Sequence, residues 1–92
     1  AYQEMEVWYP ILRLQEGGAR VITFGPKAGE KVASKLGYPV LAERSYADLD
    51  AAAVDGVIVP GGWAPDYIRR NEGAVAFVGA VHAAGKLVAA VC

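Results

Sequence analysis

Hydrophobic positions along this chain alternate between two periods, and the changes of period divide it into helices and strands. Over residues 3–15, Met5, Trp8, Ile11 and Leu12 recur at helical spacing, which predicts an amphipathic helix stopped by Gly17-Gly18. Pro10 lies inside that stretch, so the helix either starts near it or bends there. Arg20-Val21-Ile22-Thr23-Phe24 is β-branched and aromatic and predicts a strand, followed by a loop at Gly25-Pro26-Lys27-Ala28-Gly29. Residues 30–43 carry no clear period; Gly37-Tyr38-Pro39-Val40 predicts short extended pieces, not a helix. Ser45-Tyr46-Ala47-Asp48 has the spacing of a capping box and predicts a short helix reaching Leu49 and Ala53.

The second half reads more sharply. Asp55-Gly56 turns into a strand at Val57-Ile58-Val59-Pro60, which ends at Gly61-Gly62. Pro65-Asp66 suits a first helical turn. Val75, Val78, Val81 and His82 mark a helix over residues 73–84, capped by Gly85, and a last strand runs through Gly85-Lys86-Leu87-Val88-Ala89-Ala90-Val91. Strands joined by helices imply right-handed crossovers and a parallel sheet, hence a three-layer α/β architecture. Apolar strands without alternation fit a sheet covered on both faces. The pattern opens on a helix with no strand before it and closes on a strand with no helix after it. Residues 1–92 are therefore expected to be one partial domain, cut at both ends.

Composition narrows the function classes. The chain has 92 residues, enough for one domain and a small core. It is 54% hydrophobic and 21% charged, a globular balance and not a disordered one. The net charge is −1 and no Lys/Arg run occurs, so nothing points to nucleic acid. No apolar run approaches the roughly 20 residues of a membrane-spanning helix, and no signal peptide is visible, so a cytoplasmic protein without a membrane partner is expected. One Cys and one His exclude an internal disulfide and a structural zinc site.

Chemistry gathers at the strand ends. Cys92, the only cysteine, follows the last strand, where open α/β sheets place their ligand crevices and where a strand-to-helix elbow can lift a nucleophile out of the sheet. The bland alternative is a small buried hydrophobe. Gly61-Gly62 leaves a neighbouring strand and would let backbone N–H groups approach an oxyanion, although an ordinary strand-exit turn has the same sequence. Glu6 sits between Met5 and Val7 on the side of Pro10, where a partly buried carboxyl could hydrogen-bond a thiolate. Glu4 reads as helix-dipole charge, and Asp66 as capping or dipole compensation. His82 reads as a packed or surface histidine more than a base. Trp8 suits the core, while Trp63 beside Gly62 suits either a pocket wall or a subunit contact.

Taken together these pieces resemble the PfpI-type intracellular protease and protein deglycase family, with its class I glutamine-amidotransferase-like fold. The resemblance rests on Glu6 with Tyr9-Pro10 and Arg13-Leu14; Gly37-Tyr38-Pro39-Val40; Val59-Pro60-Gly61-Gly62 with Ala64-Pro65-Asp66; and Ala83-Ala84-Gly85-Lys86 with Val88-Ala89-Ala90-Val91-Cys92. It implies a flavodoxin-like α/β/α sandwich with a parallel sheet, here without its first strand and C-terminal half. It implies Cys92 as elbow nucleophile, Glu6 as its hydrogen-bonding carboxyl, Gly61 and Gly62 on the oxyanion side, and Asp66 as an acidic position that reaches a neighbouring subunit's Cys-His pair. No cofactor is implied. The implied partners are a small aldehyde or peptide substrate and further copies of the chain, in a dimer or hexamer.

Two departures from the family pattern stand out. Gln3 occupies a position that is acidic in some relatives, and Leu36 one that is histidine in many. With the residue after Cys92 outside the chain, the fragment itself is expected to be inactive. The lead expectation is a cysteine-nucleophile enzyme acting on a carbonyl, as a peptidase or a glyoxalase/deglycase. A redox or stress sensor built on an oxidisable Cys92 is the second expectation, and a non-catalytic α/β domain the third.

Overall fold

The computed structural model describes residues 2–91; Ala1 and Cys92 lie outside the described residues. Three helices and six short strands make up the fold, but they do not strictly alternate: five strands lie between the first helix and the second, and the second and third helices are consecutive. In chain order the elements are α1 (Glu4–Glu16), β1 (Phe24–Gly25), β2 (Lys31–Ala33), β3 (Pro39–Leu41), β4 (Arg44–Ser45), β5 (Gly56–Val59), α2 (Ala64–Ile68), α3 (Glu72–Ala83) and β6 (Leu87–Ala90).

The strands pair two by two. β1 and β4 are parallel, β2 and β3 form an antiparallel hairpin, and β5 and β6 are parallel, with Gly56 opposite Leu87 and Val59 opposite Ala90. The β5–β6 pair, joined through α2 and α3, is the α/β arrangement the apolar pattern predicts, whereas β1 and β4 are joined through the β2–β3 hairpin. β5 is bonded along one edge only among the described residues. Glu30–Glu43 is indeed extended and not helical, since it holds the β2–β3 hairpin.

Two elements differ from expectation. Of Arg20-Val21-Ile22-Thr23-Phe24 only Phe24 enters a strand, because backbone pairing and not residue type makes a ladder. The segment before it is tied sideways instead: the Thr23 carbonyl accepts from the N–H groups of Glu43 and Arg44 at 3.0 and 3.2 Å. Gly25 is buried where a side chain would not fit, as a Cβ there would stand 2.7 Å from the Ala42 Cβ. The expected helix from Ser45 resolves into two single 3-10 turns, Tyr46–Asp48 and Ala51–Ala53. Asp48 reaches back to the Ser45 N–H at 3.3 Å and hydroxyl at 2.9 Å, but Leu49 is extended and Asp50 caps a second turn through Ala52 N–H.

The core is small and lies under β5 and β6. Ala74, Phe77 and Val81 of α3 are buried, and Val81 is the side chain most completely removed from solvent. α3 packs on β5, β6 and both 3-10 turns, and Phe77 meets Phe24 with ring centroids 6.2 Å apart. The buried stripe is thus 74, 77 and 81, turned by one residue from the expected 75, 78, 81 and 82. Val75 is half exposed and His82 is exposed. α3 is packed against the Ala51–Ala53 turn as well as against the strands.

α1 buries no residue fully. It runs through Pro10 without ending there. Its Glu6, Val7, Pro10, Ile11 and Leu14 border a cavity of about 980 Å³ that also reaches Ile22 and Val57. Met5, Tyr9 and Leu12 remain largely exposed. The accessible surface is 6101 Å² for 9.7 kDa, where folded monomers of that mass show about 5,100 Å². The fully buried helical residues are those of α3, while the cavity lies between α1 and the β5–α3 side, bordered also by Val57, Ala74 and Phe77.

Candidate active site

Register brings the chemistry together. Because β5 and β6 are parallel and aligned, their carboxyl ends lie side by side. Val91 N–H donates to the Val59 carbonyl at 3.0 Å, which carries the pairing one residue past β6. Cys92 comes next in sequence, and its own position lies outside the described residues.

β5 leads into Pro60, buried Gly61 and half-buried Gly62. Gly62 has φ 79°, in the left-handed region that favours glycine, and there the chain turns from β5 toward α2. Among the described residues no carbonyl or side chain accepts from the N–H of Gly61 or Gly62. Two adjacent backbone donors at a strand exit can hold a developing oxyanion.

The start of α1 is fastened to the same exit. Gln3 N–H donates to the Gly61 carbonyl at 3.4 Å, and Tyr2 bridges to Gly62. Gln3 also caps the helix, its side-chain oxygen accepting from Glu6 N–H at 3.1 Å. One residue thus joins the glycine exit to Glu6. Glu6 borders the large cavity, and its Oε1 is buried with no hydrogen-bond partner among the described residues. Leaving such a group unpaired costs about 1–3 kcal/mol, so the position is built for a partner. Pro10 adds to this local frustration, since it lacks the N–H that would bond the Glu6 carbonyl.

Asp66 is not part of this cluster. It lies in the first turn of α2, exposed, and pairs with Arg69 one turn on. It does not border the cavity that Glu6 borders. Trp63 is exposed, and Arg70 lies over the Tyr67 ring at 5.5 Å. Among the described residues no group of three His, Cys, Asp or Glu gathers as a metal site. No helix there is long and apolar enough to cross a membrane.

A polar network missing from the sequence reading stands behind the site. Buried Tyr2 donates from its hydroxyl to the Tyr38 carbonyl at 2.7 Å and accepts from Trp8 Nε1 at 3.1 Å. Trp8 meets Tyr38 edge-on at 5.5 Å, so it packs on the hairpin, half-buried. Glu4 does more than favour the helix dipole. Its Oε2 accepts from the hydroxyl of buried Ser34 and from Leu36 N–H, the latter at 2.7 Å. The Ser34 bond foremost, with the Leu36 amide and the nearby Lys35 charge, holds Glu4 below the ordinary carboxylate range. Burial pushes the Tyr2 phenol up. Apart from the Trp8–Tyr2 bond, these partners stand 30 or more positions apart in sequence, so no local pattern announces them.

The sequence profile of the DJ-1/PfpI family matches residues 1–92. A deglycase of Thermococcus kodakarensis is 34% identical over 91 residues, which are 99% of this chain and 54% of that protein. A deglycase of Pyrococcus abyssi is 33% identical over the same shares. The chain thus spans about half the length of these curated relatives. Among solved structures, a two-domain protein from Anabaena variabilis with DJ-1/ThiJ/PfpI-like and ferritin-like domains superimposes with a TM-score of 0.96 at 38% identity. That likeness covers all of this chain and 27% of the other.

Proposed function

The chain belongs to the DJ-1/PfpI family, and from that premise we propose that it carries the nucleophile half of a cysteine enzyme acting on carbonyl compounds, of the deglycase type. The observation that carries this reading is the buried, unpartnered Oε1 of Glu6, tied through Gln3 to the Gly61-Gly62 exit beside the end of β6. The curated relatives named deglycases support the substrate class.

In this reading the Cys92 thiolate attacks the carbonyl carbon of an aldehyde-derived adduct, forming a C–S bond. The carbonyl oxygen becomes an oxyanion and accepts from the N–H groups of Gly61 and Gly62. In this reading the Glu6 carboxyl donates its O–H to the sulfur, and a hydrogen bond given to the charged form favours the thiolate. Asp66, turned to solvent with Arg69, has no role within one copy. Its contribution would come from reaching the site of another copy in a homo-oligomer.

The test is turnover of methylglyoxal-modified cysteine and of a casein peptide by the full-length polypeptide and its C92S and E6Q variants. Release of free cysteine that disappears in C92S and falls at least about a hundredfold in E6Q is expected. Cleavage of the peptide alone would move the reading to a peptidase. Selective oxidation of Cys92 with no turnover of either would replace it with a redox sensor.

A further inference from the structure

We propose that the Glu4–Ser34 contact is a positioning clamp for the site, with Ser34 acting through Glu4 on Glu6. The proposal rests on the reading of Glu6 and Cys92 given above.

Ser34 is the one polar residue buried with the core among the described residues, at 5% exposure. Its hydroxyl is fully used: it donates to Glu4 and accepts from Tyr38 N–H at 2.8 Å. Glu4 in turn takes the Leu36 amide at 2.7 Å. The loop between β2 and β3 is therefore gripped by one carboxylate. Lys35 N–H donates to the Tyr2 carbonyl at 2.8 Å, which grips the same loop from the preceding residue. Glu4, Gln3 and Glu6 share the first turn of α1 and its cap. α1 buries no side chain fully, so packing alone does not fix the angle at which this turn enters. The clamp and the Gln3 bridge do that, and they set where the Glu6 carboxyl stands relative to Gly61.

Geometry and charge can be separated at Glu4. Both donors, the Ser34 hydroxyl and the Leu36 amide, converge on a single oxygen, Oε2. The amide oxygen of glutamine can take that place and accept both. E4Q therefore keeps the clamp and loses the charge, whereas E4A and S34A lose the clamp.

The experiment is the pH dependence of Cys92 alkylation by iodoacetamide in the full-length polypeptide, read by peptide mass spectrometry, with thermal melting alongside. S34A and E4A are expected to slow alkylation at pH 7 by about tenfold, with a midpoint about one pH unit higher. E4Q is expected to match the parent profile. A merely structural clamp would lower the melting temperature of S34A and E4A and leave their alkylation profiles at the parent midpoint, and that result overturns the proposal. E4Q behaving like E4A overturns it too, since charge and not position would then be at work. E6Q is the control: if it shifts the profile while S34A and E4A do not, only the clamp is refuted. If E6Q does not shift it either, the site reading falls with the clamp.

Discussion

The half of the molecule built on α3, β5 and β6 and the half built on α1 and the β2–β3 hairpin are held together by different physics. Around α3 the forces are mainly apolar: a stripe of Ala74, Phe77 and Val81 sits under two aligned strands. The Lys86 ammonium adds one tie, donating to the Ala51 carbonyl at 2.7 Å. Around α1 the forces are polar and long-ranged: Glu4 to Ser34, Tyr2 to Tyr38, and Gln3 to Gly61. The site lies on the seam. β5 and β6 supply its rigid floor, and α1 brings Glu6 to it on hydrogen bonds. A carboxyl held in this way can be re-aimed by changing a bond without disturbing the core.

Mutations should separate the two halves by size of effect. F77A removes a ring packed against Phe24 and is expected to cost about 3–5 kcal/mol in urea unfolding. A cost near that of a surface substitution would mean that the α3 region is not the stabilising core. Y2F leaves the ring in place and removes both the bond to the Tyr38 carbonyl and the acceptor for Trp8 Nε1. About 1–2 kcal/mol is expected, together with a change in Trp8 fluorescence. A cost as large as that of F77A would show that the polar half is equally central.

The smallest effect concerns pH. Glu4 is held below its ordinary value of 4.5, mainly by the Ser34 hydroxyl, so its contribution is present above that pH and is lost as pH falls through the lower folded value. The Leu36 amide shift should therefore titrate with a midpoint below 4.5, and S34A should return that midpoint toward it. A parent midpoint at 4.5 or above would remove the clamp from the account.

What the sequence made legible follows the same divide. α3, β5 and β6 were readable because their periods are local and end on Gly61-Gly62 and Gly85. The rotation of α3 escaped, since its packing partners lie in other elements and not in its own period. Arg20-Val21-Ile22-Thr23-Phe24 was over-read because β-branched residues mark a capacity for pairing that only a partner realises. The β2–β3 hairpin was half-read, as its five-residue loop carries one glycine and no two-residue turn signal. Glu6 and Gly61-Gly62 were placed together by sequence and are joined in the structure through Gln3. Ser34 and Tyr2 were not foreseen as supports, because side-chain bonds across 30 residues leave no periodic trace, and Gln3 was not because its link to Gly61 runs through the backbone.

The account turns on whether Glu6 serves the Cys92 thiol. The direct measurement is the thiolate absorbance of Cys92 as a function of pH in the full-length polypeptide and in E6Q, with C92S subtracted. The account predicts a parent midpoint well below the ordinary thiol value of about 8.5 and an upward shift in E6Q. Identical midpoints in parent and E6Q would contradict it.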